Sequence, residues 1–291
     1  MIAGVVLAPP RPQSLPRRIW QRFRRNRLAV ASLGFLVVLA LLVGFSPFLA
    51  PYDFDAQDIE LFGQPGPPTA EHWLGTDQLG RDALSRLLYG GRVSLAVGLA
   101  SALVATALGT LVGAVSGFYR GWVDTVLMRG TDVVLSIPAL PLILLIAGLI
   151  RPTMPVLIVI IGALGWMSTA RLVRGQFLSL REREFVEAAR ALGGTDRRLI
   201  WRHILPNAVA PITVSATLTV GQAILLESAM SFFGFGVQPP TPTWGNLLNE
   251  ASQWLDSAPW LAIPPGLMIF LTVLAVNSLG DGLRDAVDAR A

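Results

Sequence analysis

The chain contains no cysteine and no lysine, and it has only two histidines, His72 and His203. Without cysteine there is no disulfide and no thiol chemistry. Without lysine there is no GxxxxGK[ST] phosphate loop, because the side chain that reaches the nucleotide phosphates is missing. ATP hydrolysis by that route is excluded. Neither GxSxG nor HExxH occurs, which leaves no basis for a hydrolase of either type. Charge is scarce too: 14% of the 291 residues are Asp, Glu, Lys or Arg, against roughly 25% in soluble domains.

Hydrocarbon fills the space. Hydrophobic residues make up 53% of the chain, and the mean hydropathy is +0.56. Uncharged stretches cover 28–52, 93–119, 133–150, 152–170, 204–226 and 258–280. Each reaches the roughly 18–20 residues needed to cross a ~30 Å hydrocarbon core at ~1.5 Å per residue. The pattern predicts an all-helical membrane protein with six transmembrane helices, the fifth continuing past Glu227 to about residue 233. The 23 basic residues are all arginine. They crowd an N-terminal arm, 1–27, with Arg11, Arg17, Arg18, Arg22, Arg24, Arg25 and Arg27, and a loop, 171–206, from Arg171 to Arg202. Segment 53–80 has no basic residue, and 234–257 carries only Glu250 and Asp256 as charges. The positive-inside rule places the arm, the loop and the tail 284–291 in the cytoplasm, and the two acidic segments outside. Six spans in a transmembrane domain, 28–283, satisfy these assignments together. The apolar run after the arm exceeds a leader's apolar core and no small-residue cleavage site follows promptly, so it reads as a retained span. The net charge of +4 and pI near 10.5 serve topology and anionic lipid better than nucleic acid, since no aromatic stacking platform accompanies the arginines. The Pro-rich first 16 residues read as disordered and dispensable for activity.

Within the basic loop, Phe185, Ala188, Ala189 and Leu192 recur at helical spacing, so one short helix presents them on one face. Gly193-Gly194 ends that helix. Thr195 or Asp196 caps a second running to about His203, and Pro206 closes the unit before the next span. The stretch with Glu187-Ala188-Ala189, Gly193 and Leu205-Pro206 resembles the EAA loop of permease subunits in binding-protein-dependent ABC importers, with His203 where the pattern has an aliphatic residue. A second stretch, His72-Trp73-Leu74-Gly75-Thr76-Asp77 with Leu79-Gly80-Arg81-Asp82, Ser85-Arg86, Gly90 and Arg92-Val93-Ser94-Leu95, resembles the signature of the shorter, C-type permease of the dipeptide, oligopeptide and nickel branch.

The resemblance implies a type I permease architecture and a non-catalytic subunit. Its implied partners are a second homologous permease, two ABC ATPase subunits that use ATP and Mg, and an extracytoplasmic substrate-binding protein. The chain itself would bind no cofactor. Glu187, Ala188, Ala189 and Gly193 would form the ATPase-coupling element, supported by Phe185, Leu192, Leu205 and Pro206, in a bacterial cell membrane. Short peptides are the expected cargo; a nickel chelate or another small solute of the same branch is the alternative.

Other residues carry open readings. Glu227, alone inside an apolar run, either faces a translocation path or pairs with Asn277, Gln222 or another subunit's arginine. A stand-alone proton-coupled carrier would use this same carboxylate, but no internal repeat supports one. Asp132 is expected to pair with Arg129. The stripe Ser101, Ala105, Gly109, Gly113 and Gly117 should admit a close helix neighbour, and Pro138 and Pro141 should kink the third span. Segment 53–92 is expected to hold an interfacial helix along which Asp77, Arg81, Asp82 and Arg86 pair, with Trp73 and Tyr89 at the membrane interface. The two histidines fall on opposite sides and form no shared metal site.

Overall fold

Uncharged runs of this length satisfy their backbone only by coiling on themselves, and helices carry nearly all of the structure. The computed structural model describes residues 20–150 and 153–287; most of the N-terminal arm, including Arg11, Arg17 and Arg18, and the last residues of the tail lie outside them. The main helices are α1 (Arg27–Gly44), α2 (Ala83–Tyr119), α3 (Gly121–Leu135), α4 (Ala139–Ile150), α5 (Met154–Gly165), α6 (Met167–Arg181), α7 (Glu184–Ala191), α8 (Leu205–Phe232), α9 (Trp244–Ser252) and α10 (Pro259–Val287). Among the described residues no strand forms, only isolated bridges between Phe62 and Leu79 and between Thr76 and Asp82.

Four unbroken helical runs are long and apolar enough to cross a membrane: Arg27–Gly44, Ala83–Tyr119, Asp196–Phe232 and Pro259–Val287. The pairs α3–α4 and α5–α6 bend by 81° and 46°. Counting each bent pair as one span gives six. The expected continuous helix over 133–150 is broken at Ser136–Pro138, because Pro138 has no N–H and its ring rejects the preceding turn. Pro141 breaks nothing; it lies in the first turn of α4, where no intrahelical N–H is required.

The centre of the bundle is α2. At ~1.5 Å per residue its 37 residues span about 55 Å, well beyond a ~30 Å hydrocarbon core. The Asp82 carboxylate caps it by accepting the Ser85 N–H at 2.7 Å. The small-residue stripe packs α6 within the same chain: a Cβ on Gly109 would stand 2.6 Å from the Trp166 carbonyl, and one on Gly117 2.7 Å from the Phe177 Cβ. Gly109→Val is therefore expected to force the two helices apart. The cost should be about 1–3 kcal/mol, read as a lowered Tm in detergent; an unchanged Tm would show that α6 has room to move.

Both described ends of the chain meet at one end of the bundle. Phe23 and Ala29 pack with Ala286, and Arg284 lines a cavity with Gln176 and Pro211, near the start of α8. The C-terminal end of α2 and helix α7 occupy this end as well, through a shared core of Phe118, Phe177, Val186 and Leu199. This agrees with an even number of crossings.

Two local expectations fail. Asp132 pairs with Arg171 at 2.6 Å, not with Arg129, because the neighbouring α6 offers a guanidinium across the groove. No interfacial helix forms in 53–82, which is irregular apart from a single turn at Ile59–Leu61; the helix begins at Ala83 and runs straight into the span. Trp73 is two-thirds exposed, while Tyr89 packs on Phe54 with ring centroids 5.1 Å apart.

Candidate functional site

Helix α7 stands as a knob whose two faces differ in their partners. Val186 on its inner side is fully buried against Phe118, Phe177, Leu199, Ile204 and Ala208. On the outer side Phe185, Ala188 and Leu192 are exposed, Leu192 to 89%, and Ala189 is half-buried between the faces. The predicted apolar stripe therefore exists but points away from its own subunit. Glu187 is exposed and forms no ion pair with Arg183 or Arg190. The outer side of the knob thus joins an exposed apolar strip to an exposed carboxylate.

The rigidity has local causes. Gly193, at φ +80°, sends its N–H to the Arg190 carbonyl at 2.9 Å, and Gly194 sends its own to the Ala189 carbonyl at 3.0 Å. These two bonds are the Schellman ending of a helix, and the positive φ favours glycine. A Cβ on Gly194 would lie 2.7 Å from the Ala189 oxygen, so neither glycine tolerates a side chain cheaply. Behind the knob, the Arg181 guanidinium donates to the Phe118 carbonyl and lies 5.6 Å over the Phe118 ring. Thr195 then caps the next turn by accepting the Arg198 N–H at 3.4 Å.

Pro206 does not close the unit. The chain from Asp196 to Phe232 is one helical run, widened into π geometry over Leu199–Ile204. Widening moves the Leu205 N–H onto the Ile200 carbonyl, five residues back, and places Pro206 in the first turn of α8 where its missing N–H costs little. Asn207 returns a side-chain amide to the His203 carbonyl at 2.6 Å. Leu205 is half-buried in the core beneath. Motion of α7 is thus linked through Leu199 and Ile204 to the whole of α8. Sequence reasoning missed Trp201, 64% exposed, which with Thr195, Arg197, Arg198 and Arg202 lines an open hollow of about 590 Å³ beside the knob; its position within an arginine cluster was the available signal.

At the opposite end of α2 lies a buried charge cluster. Arg81 donates from Nε to Asp77 at 2.7 Å and from Nη2 to Glu250 at 3.2 Å; Arg86 donates from Nη2 to both Glu250 oxygens at 3.0 Å. Asp82 accepts two bonds from Ser85 at 2.7 Å, and His72 Nδ1 lies 2.9 Å from its other oxygen. Arg81 and Arg86 are 4% and 1% exposed. Of the four motif residues only Asp77, Arg81 and Arg86 pair, inside the protein and around a further group, Glu250 of α9, while Asp82 turns to Ser85 and His72 as the helix cap. Burial pushes the Glu250 carboxyl above its usual range, while Arg86 and Arg81 pull it back. The cluster is a positional lock between α2 and α9 more than a source of net stability. Trp244, at the start of α9, also holds that helix on α2, sending its indole N–H to the Leu87 carbonyl at 3.1 Å beside Gly91, whose absent side chain leaves the room.

Glu227, for which a translocation path and a structural pairing were both open, is buried inside the chain at 0% exposure. Ser231 donates to its Oε1 at 2.8 Å, and the hydroxyls of Ser94, Ser228 and Thr243 surround it. Neither Asn277 nor Gln222 is its partner, because α9 folds back over α8 and brings Thr243 there first.

A helical bundle with two broken spans, a protruding helical knob at one end and a charge-locked helix at the other has the form of a transport permease. Residues 109–291 match the family described as binding-protein-dependent transport system inner membrane component, and the chain belongs to it. Residues 14–68 match the N-terminal TM domain of oligopeptide transport permease C. The chain is 42% identical to the glutathione transport system permease protein GsiD of Pectobacterium atrosepticum over 275 residues, covering 94% of this chain and 91% of that one. It is 39% identical to the GsiD protein of Escherichia coli O6:K15:H31, covering 93% and 89%. It is 42% identical over 272 residues to a Brucella suis biovar 1 protein named as a peptide permease, again covering 93% and 89%. The protein is thus a multi-pass inner-membrane permease component of an importer, not itself catalytic, and its family works with a separate ATPase and a substrate-binding protein.

Proposed function

We propose that this chain forms half of the translocation pathway for short peptides, glutathione among them, paired with a second homologous permease and driven by two ATPase subunits that bind ATP and Mg. Residues Phe185, Glu187, Ala188, Ala189, Leu192 and Gly193 make the contact with one ATPase, and Leu205 and Pro206 carry its movement into α8. The α7 end faces the cytoplasm, where the arginines of 171–206 belong. The substrate-binding protein docks at the other end, over the segment from 53 to 82. The observation that carries this reading is the one-sided anchoring of α7. Val186 is locked into the core while Phe185, Ala188, Leu192 and the unpaired Glu187 are left outward. A rigid knob transmits displacement only if its inner side is fixed.

Substrate class rests on the relatives' names, a glutathione permease and a peptide permease. Affinity purification of the tagged chain in mild detergent tests the assembly. Two P-loop subunits and a second six-span chain should come with it, and the complex should hydrolyse ATP faster when a peptide-loaded binding protein is added. Recovery of a stable chain alone, without ATPase activity, would overturn the reading and return weight to a carrier.

A further inference from the structure

Two cavities open on the outside of the bundle and share a wall. One, of about 400 Å³, is lined by Ser168, Gln176, Ser215, Thr219, Gln222 and Arg284 among others. The second, of about 490 Å³, is lined by Leu135, Pro138, Gly165, Met167, Leu225 and again Ser168 and Gln222. Both lie in the size range of small-molecule sites, ~300–1,000 Å³. Ser168 and Gln222 are exposed although both lie within span-forming helices.

The breaks of both bent spans meet at the second cavity. Leu135, Ile137, Pro138 and Ala139 bring the 81° bend, and Gly165 and Met167 bring the 46° bend. Irregular backbone at membrane depth is tolerated where protein covers it or water fills the space beside it, and broken spans are a recurrent way to build a solute site. Directly behind Gln222 lies a further hollow of about 20 Å³, lined by Ser101, Thr219 and Gln222. Ser101 is fully buried there and its hydroxyl has no partner. The space suffices for one water, which needs a polar neighbour of this kind.

The chemistry of the wall narrows the occupant. Among the described residues no Asp or Glu lines either cavity, so a bare metal cation finds no ligand charge there. The uncharged amide and hydroxyls donate and accept equally well, as the repeated N–H and C=O groups of a peptide require whatever its side chains. Arg284, the one charge among the described lining residues, stands at the α7 end of the groove.

We propose that the groove centred on Gln222 and Ser168 is this subunit's solute-contacting wall. Gln222 and Ser168 take the main-chain amides of a passing peptide, and Arg284 draws its terminal carboxylate toward the α7 end. The inference rests on the peptide-importer reading above and assigns its contact residues.

The absence of cysteine makes the test clean. Gln222→Cys, Ser168→Cys and, as a control on the apolar outer stripe of α2, Leu103→Cys are each assembled with the partner subunits in liposomes. They are treated with a charged, membrane-impermeant thiosulfonate, and modification of this chain is read by mass spectrometry. Positions 222 and 168 should be modified at least tenfold faster than 103, and trialanine with its loaded binding protein and ATP should slow them. Gln222→Leu should lower trialanine uptake at sub-saturating concentration about fivefold, the effect of one uncharged hydrogen bond, with the second permease still co-purifying. Absence of modification at 222 and 168 in an assembly that transports trialanine would overturn the assignment, as would loss of the second permease on Gln222→Leu, which would make the groove a subunit interface. An unsubstituted assembly that hydrolyses ATP but takes up no trialanine would instead reject the peptide reading itself.

Discussion

Gly193→Pro should reduce uptake by more than tenfold while the protein remains inserted and associated with its partner permease. Proline holds φ near −65° and has no N–H, whereas Gly193 lies at +80° and donates to the Arg190 carbonyl. The exit of α7 cannot form, and Phe185, Ala188 and Leu192 lose the orientation that Val186 fixes. Gly193→Ala should fall between, since alanine reaches the left-handed region at a cost of about 1–2 kcal/mol. Glu187→Arg separates coupling from folding. This carboxylate is exposed and makes no ion pair among the described residues, so its reversal should leave the Tm unchanged and still uncouple ATP hydrolysis from uptake. Transport at the normal rate by Gly193→Pro and Glu187→Arg together would remove α7 from the coupling path.

Glu250→Ala should be the most destabilising single change at the other end. It leaves Arg81 and Arg86, almost wholly buried, with one carboxylate, Asp77, between two guanidiniums. Breaking a buried pair from one side costs about 3–5 kcal/mol, because the remaining charge is stranded. For a chain of this size that is a fall in Tm on the order of 10 °C, measurable on detergent-solubilised protein. Asp256→Ala, a few residues further on and free of the cluster, serves as the control. Comparable Tm values for the two variants would mean that water reaches the arginines and that α9 is not held by charge. Replacement of Trp244, 1% exposed, would test the separate apolar contact of α9 with α2.

What was legible in the sequence was whatever depends on near neighbours along the chain. Hydropathy located the spans because a helix needs only its own residues to satisfy its backbone. Gly193-Gly194 and Thr195 announced the knob because capping acts over three to five residues. The small stripe on α2 predicted a close neighbour, though α6 as that neighbour came from the structure. Pro206 was misread for a related reason: a proline stops a regular α-helix, but a π segment ending two residues before it shifts the register and lets the helix run through it.

Composition alone set the class of this protein, a multi-pass helical chain without a phosphate loop, because lipid and nucleotide each demand particular residues and leave no substitute. Tertiary structure decided where the charges went. Glu250 meets Arg81 across 169 positions and Arg171 meets Asp132 across 39, separations at which no periodicity survives. The same holds for Glu227, whose setting depends on α9 folding back over α8, and for the groove at Gln222, which exists only because two unrelated bends converge. Pairings of this kind are fixed by which helices share a face, and that is settled only when the bundle closes.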